Sequence, residues 1–336
     1  MKGKVPSVRF FVDANIYLRF YDSNQESFRS LLKSMVAIKQ HVLVTDQIVE
    51  EVCRNKTNVF STSFDGYIQQ MQTLNGIRLP EHLDDKRITE WNKSFKDLSR
   101  NHKNLLGELR QIRQVMVESI VSSKDFVSMQ LLPLFGAAVV SSNAHVASAN
   151  ERRNLGSPPG KWSDPIGDQL NWEHILEACE GVSVMIIVSN DYDFYANADR
   201  EKQFLNPVLL DEMNERNESI SVECYNSLSD GLQAYDRLTK SLKSSLPSVP
   251  VLERIKEDER LYVPFSGGTG PTHSSDGNET TTYYANPDHA RLDSVERVKY
   301  MYKNSLMRRD VAQGRLLDLG MGSKDVQDIL DNRIVY

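Results

Sequence analysis

"VSVMIIVSNDYDFY", residues 182–195, is the stretch on which the fold turns. Its apolar run is too short for a globular helix and too continuous for a strand with one wet face. It therefore reads as a strand buried on both sides of a parallel sheet. The run stops at Ser189-Asn190, and two carboxylates, Asp191 and Asp193, follow before the chain turns aromatic. Taken alone, Asp191 could be an ordinary turn acid ending a strand.

A second stretch has the same grammar. "VRFFVDANIYLRF", residues 8–20, is apolar at Val8, Phe10, Phe11 and Val12 up to Asp13 and then enters a turn and a helix. A helix over 24–40, a short strand "HVLVT" and a helix "DQIVEEVCRNK", capped by Thr45 or Asp46, come next. Strand, helix, strand and helix in succession predict a right-handed α/β unit. A helix from near Asp168, the strand at 182–189, a helix over "NPVLLDEMNER" and a last strand in "ISVECYNSL" complete a sheet of about five strands.

Between these parts, residues 57–142 have helical periodicity and many long side chains, as in "EWNKSFKDLSRNHKNLLGELRQIRQVMVESI". They are expected to form an inserted helical arm, either a mixed solvated surface or a face for nucleic acid. The core domain is expected over 1–235. A Gly/Ser/Thr/Pro-rich linker or long loop follows over 236–289, then a helical C-terminal extension over 290–336 that docks on the core or mediates self-association.

Composition narrows the class. Of 336 residues, 40% are hydrophobic and 26% charged, which fits a globular protein, and no 18-residue apolar stretch offers a membrane span. No secretory signal pattern opens the chain. Three widely spaced cysteines, Cys53, Cys179 and Cys224, fit reduced buried thiols and a cytoplasmic location better than a disulfide set or zinc cluster. A net charge of −6 gives no overall attraction to nucleic acid, though bound cations can reverse the sign locally.

The acids are the chemical signal. Asp13 and Asp191 stand where buried strands run out, at the edge where open α/β sheets bind ligands. Glu51 lies on the helix after the second strand and is better placed than Glu50 to face the same edge, because Ile48 and Val52 mark the packed side. Asp168 follows a Pro-Gly turn at a helix start, where a simple N-cap is the competing reading. Carboxylates gathered at one point repel unless cations neutralise them. Mg²⁺ or Mn²⁺ suits such oxygen donors, and two such ions can activate water and stabilise the attacking and leaving oxygens of a phosphodiester.

In this order and spacing, "FFVDANIYL", "VLVTDQIVEEVCRN", "SPPGKWSDPIGDQLNWEHIL" and "IIVSNDYDFY" resemble the PIN-domain nuclease family, in its larger PIN-like branch. The resemblance covers roughly residues 8–235, interrupted by the insertion. It implies an α/β fold, a three-layer α/β/α sandwich with a central mostly parallel sheet, carrying a helical insertion and a C-terminal extension. It also implies a metal-dependent endonuclease, most often an RNase, with Asp13, Glu51, Asp168 and Asp191 as the metal-binding acids and Asp193 as an accessory.

Asn15 and Ser189 are candidates to orient those carboxylates. Arg152, Arg153 and Lys161 flank the Pro-Gly turn and are candidate phosphate contacts, with an ordinary exposed basic loop as the alternative. Trp162 is a candidate for base stacking, whereas Trp172 and His174 read as structural. The expected partners are nucleic acid, RNA above all, with self-association or an inhibitory protein as further candidates, and no membrane. A toxin or defence role rests on family analogy alone. An inactive PIN-like binding or assembly protein, or a DNA or flap nuclease, are the alternatives.

Overall fold

The computed structural model describes residues 6–22, 28–72, 86–160, 165–196, 203–242, 245–261, 312–313, 316–317 and 322–331. Its centre is a parallel sheet in the order β2-β1-β3-β4, formed by β1 (Val8–Val12), β2 (Val42–Leu43), β3 (Val184–Val188) and β4 (Ser221–Tyr225). Among the described residues four strands therefore stand in this sheet where about five were expected. The parallel bridge between Thr45 and Val139 extends the hydrogen bonding beyond β2 without forming a further strand. A short antiparallel hairpin pairs Tyr195–Ala196 with Phe204–Leu205.

All five residues of β3 are buried, and neighbouring side chains of β1 meet different layers. Phe10 meets Tyr235 edge-on, on the helix α9 (Leu228–Thr239), while Phe11 faces Phe194, which in turn touches Trp172. That alternation is the physical meaning of the continuous apolar runs, since a strand covered on both faces needs no polar side. Gly231 allows α9 to approach closely: a Cβ there would lie 2.6 Å from a Val188 methyl and 3.1 Å from the Phe10 ring. The helix α2 (Phe28–Ala37) packs beside α9. The other layer contains α1 (Ala14–Asp22), α3 (Asp46–Met71) and α7 (Gly167–Ala178).

The insertion is helical. The helix α3 runs on well past its sheet-packing turns, and α4 (Lys86–Val121) returns against it. The pair is antiparallel, pinned by Arg113–Asp65 at 2.7 Å and by His102 with the Met71 carbonyl at 2.5 Å. At 1.5 Å per residue α4 is about 54 Å long. Ile120 is its buried residue, and Trp91, Leu98, Leu105 and Ile112 lie exposed at seven-residue intervals. The helices α5 (Phe126–Phe135) and α6 (Asn143–Leu155) lead back to α7, and α8 (Pro207–Arg216) packs on α7.

The stretch read as a linker begins with ordered structure. The helix α9 ends at Thr239, and α10 (Val249–Leu261) docks on it through Glu259, whose carboxylate accepts from the Leu228 amide at 3.0 Å. Residues 262–289 lie outside the described residues. In the C-terminal extension, α11 (Ser323–Asp331) buries Val326 and Leu330 in the main core, so its described part docks on the domain. Among the described residues no helix is long and apolar enough to cross a membrane.

Candidate metal centre

β1 and β3 run side by side with Val12 opposite Val188, so Asp13 and Ser189 leave the same edge of the sheet together. The Asp13 amide donates to the Val188 carbonyl at 2.9 Å. The Asp13 carboxylate is 5% exposed, and both its oxygens accept hydrogen bonds. Oδ1 receives the Ala14 amide at 2.7 Å, and Oδ2 receives the Ser189 hydroxyl at 2.6 Å and Asn15 Nδ2 at 2.7 Å.

Ser189 has a second task. Its Oγ accepts the Asp191 amide at 2.9 Å, and Asp191 Oδ1 accepts the Asp193 amide at 3.0 Å, which winds the acids into a tight turn. Below that turn, the Tyr195 hydroxyl accepts the Ser189 amide and shares its proton between the Ser189 and Tyr225 carbonyls. Asn15 ties the two loops together, since its Oδ1 accepts the Asn190 amide at 3.3 Å. A short polar scaffold thus fixes the carboxylates before any ligand arrives.

Thr45 caps α3 by accepting the Ile48 amide and also donates to Asn171 on α7, locking two acid-bearing helices together. Asp168 is not the N-cap of α7. Ile166 occupies that position without a side-chain cap, and Asp168 falls in the first turn with its carboxylate available to the cleft. Gly160, at φ 78°, forms the wall beside it: an added Cβ would lie 3.4 Å from Asp168 Oδ2 and 2.6 Å from Gln169 Nε2. Both the left-handed backbone and the close approach call for glycine there.

Carboxylate oxygens of Asp168, Asp191 and Asp193 lie within 4.8 Å of one another. Asp193 thus sits in the tight group, while Asp13 and Glu51 share its electrostatic field. Burial raises the Asp13 pKa to about 6 against its hydrogen bonds, with a further contribution from Asp191. Burial also lifts Glu51 to about 7, reinforced by Asp13 and Asp191 and opposed by Arg54. Asp168 is held well above the usual carboxylate range, by burial and then by Asp13, Asp191, Glu51 and Asp193. Glu50, by contrast, is buried near Cys53, whose thiol is pushed up to about 11 by burial, with Glu50 adding to the shift.

The basic residues divide. Arg152 spends its guanidinium inside the protein: it pairs with Glu212 at 2.8 Å and Glu173 at 3.1 Å and donates to the Pro158 carbonyl. Trp172 donates to the same Glu212, so this clamp joins α6, α7 and α8. The placement corrects the expectation of a phosphate contact at Arg152. Arg153 is half-buried and shows no side-chain pairing among the described residues. Lys161 and Trp162 lie outside the described residues. Arg54, an exposed cation one turn beyond Glu51, went unnoticed in the sequence although its spacing of three on a helix was legible.

The family described as a PIN like domain matches residues 9–207. The chain belongs to that PIN-like family. No curated protein and no solved structure matches it. The match begins just before Asp13 and ends after Asp193, so the acid-bearing strands, helices and turns of this PIN-like domain all fall inside it. A general nuclease-like character follows from the family, and the clustered carboxylates supply a potential cation site.

Proposed function

We propose that this PIN-like protein is a divalent-metal-dependent endoribonuclease. The observation that carries the reading is the convergence of Asp168, Asp191 and Asp193 at the carboxyl edge of the sheet, within the field of Asp13 and Glu51. Acids that mutually raise their pKa store repulsion that a cation relieves. An all-oxygen carboxylate set fits a hard ion such as Mg²⁺ or Mn²⁺ rather than a soft one.

Asp13, Glu51, Asp168 and Asp191 would hold the ion or ions, with Asp193 beside Asp168 and Asp191 as a further donor. When bound, such ions supply Lewis acidity and charge neutralisation for phosphodiester hydrolysis. The chain's own groups do the rest. Ser189 and Asn15 fix the Asp13 carboxylate, the Asp191–Asp193 turn presents two acids on one side, and Arg54 and Arg153 offer cations to neighbouring phosphates. RNA is favoured over DNA by the family resemblance.

The test compares matched RNA and DNA strands with wild type and D13N. Cleavage of RNA that is abolished by chelation, restored by Mg²⁺ or Mn²⁺ and absent in D13N is the expected outcome. Preferential DNA cleavage would replace the substrate, and metal-independent or D13N-insensitive cleavage would remove the mechanism.

A further inference from the structure

Past the acidic centre on α7, six residues and about 9 Å along its axis from Asp168, lies a second group of metal-ligating side chains. His174 and Glu177 of α7 meet His145 of α6, with one ligand atom from each within 4.8 Å of the others. We propose that His145, His174 and Glu177 form a Zn²⁺ site clipping α6 to α7, separate from the candidate nuclease centre.

Three features support it. The first is spacing: His145 Nε2 and Glu177 Oε2 stand 3.4 Å apart. Two ligands on a tetrahedral zinc, each about 2.0–2.1 Å from the ion, are roughly 3.4 Å apart. The rings of His145 and His174 stand 4.4 Å apart at 61°, so they converge without stacking.

The second feature is the proton inventory of His174. The Ser141 hydroxyl is 2.6 Å from Asp46 Oδ1 and gives its one proton to that carboxylate, while the Ser141 amide donates to Oδ2. His174 Nε2, 2.8 Å from the same hydroxyl, must then be the donor. The neutral ring therefore carries its lone pair on Nδ1. A histidine whose second nitrogen donates towards a carboxylate is the arrangement that orients metal ligands and raises their basicity.

The third feature is the donor set. Two imidazoles and one carboxylate suit Zn²⁺, leaving a fourth position for water, whereas Mg²⁺ prefers oxygen alone. Glu177 is largely exposed, which gives the ion an entry route. Binding has one local cost: the Ser142 amide, which contacts His145 Nδ1 at 3.3 Å, has to turn to water when the ring proton moves to that nitrogen.

The experiment is Zn²⁺ titration of the full chain, read by equilibrium dialysis and thermal unfolding, with Co²⁺ as a spectroscopic probe. Wild type and D191N are both expected to bind Zn²⁺ at this site, to be stabilised by it, and to give the intense visible band of tetrahedral Co²⁺. Mg²⁺ should not compete. H145A and E177Q, both outside the buried core, should fold as wild type by circular dichroism and bind Zn²⁺ at least about tenfold more weakly. Unchanged Zn²⁺ affinity in either variant, loss of binding in D191N, or no binding by wild type overturns the proposal.

Discussion

At the carboxyl edge of the sheet, Asp13 is almost wholly buried with both oxygens engaged, whereas in the arm α4 exposes large apolar side chains along several turns and buries Ile120. The two regions follow opposite rules. The edge concentrates like charges in a dry, hydrogen-bonded frame at a cost to folding, and holding Asp13 ionised at neutral pH costs about 3 kcal/mol. The arm concentrates almost nothing, resting on one packed stripe and a few pairings such as Arg113–Asp65. Substitutions at the edge should therefore damage chemistry, and those on the arm's outer stripe should change little.

The largest expected effect is chemical. D191N should lower metal-dependent RNA cleavage by more than about a hundredfold, and Ser189→Ala by about ten- to a hundredfold, the range for groups that orient metal ligands. Single-turnover cleavage at saturating Mn²⁺ measures both. Equal activity in all three proteins would erase the distinction between edge and arm.

Folding stability sharpens the same contrast. Ile186 is fully buried in β3, and Ile186→Ala should cost about 2–5 kcal/mol in denaturant unfolding. Leu105→Ala, on the exposed stripe of α4, should change stability by no more than about 0.5 kcal/mol. A large loss at Leu105 would mean that the stripe is covered in solution.

Two adjacent arginines offer a narrower comparison. Arg152→Met breaks a largely buried clamp and should cost about 3 kcal/mol, because Glu173 and Glu212 are left without their cation. Arg153→Met should leave the melting temperature nearly unchanged and weaken RNA binding at fixed low salt. The reverse pattern would return the phosphate-contact role to Arg152.

Much of this was legible in the sequence because the sheet obeys simple rules. The apolar runs at 10–12 and 184–188 read as strands covered on both faces; Asp13 follows the first directly, and Asp191 follows the second past Ser189-Asn190. Helix phase favoured Glu51 over Glu50 without settling the choice, and the family resemblance pointed the same way; Glu51 lies in the field of Asp13 and Asp191. What escaped depends on contacts across the chain. The partners of Arg152 lie 21 and 60 residues away, so its loop setting resembled a phosphate-binding one. The N-cap reading that competed with a metal-binding role for Asp168 arose because Ile166 and Gly167 carry no sign of opening a helix. Asp193 was ranked below Asp13, since no periodicity reveals that a turn pinned by Asp191 Oδ1 brings its carboxylate into the tight group. The His145–His174–Glu177 group was hidden for the same reason, with its first member on α6 and the other two on α7.

The most direct test of the edge as a cation site needs no substrate. Folding raises the pKa of Asp13 to about 6 and of Glu51 to about 7, so the folded chain keeps protons that the unfolded chain releases. Their contribution to stability is thus complete below the unfolded values of 3.8 and 4.5, and is lost as pH rises through about 6 and 7. Thermal unfolding of wild type and D191N at pH 5 and pH 8, with and without Mn²⁺, reads this balance. Metal-free wild type is expected to lose stability towards pH 8, Mn²⁺ to restore it at pH 8 far more than at pH 5, and D191N to start more stable at pH 8 and gain little from Mn²⁺. Equal Mn²⁺ stabilisation of both proteins, independent of pH, would show that these carboxylates hold no cation.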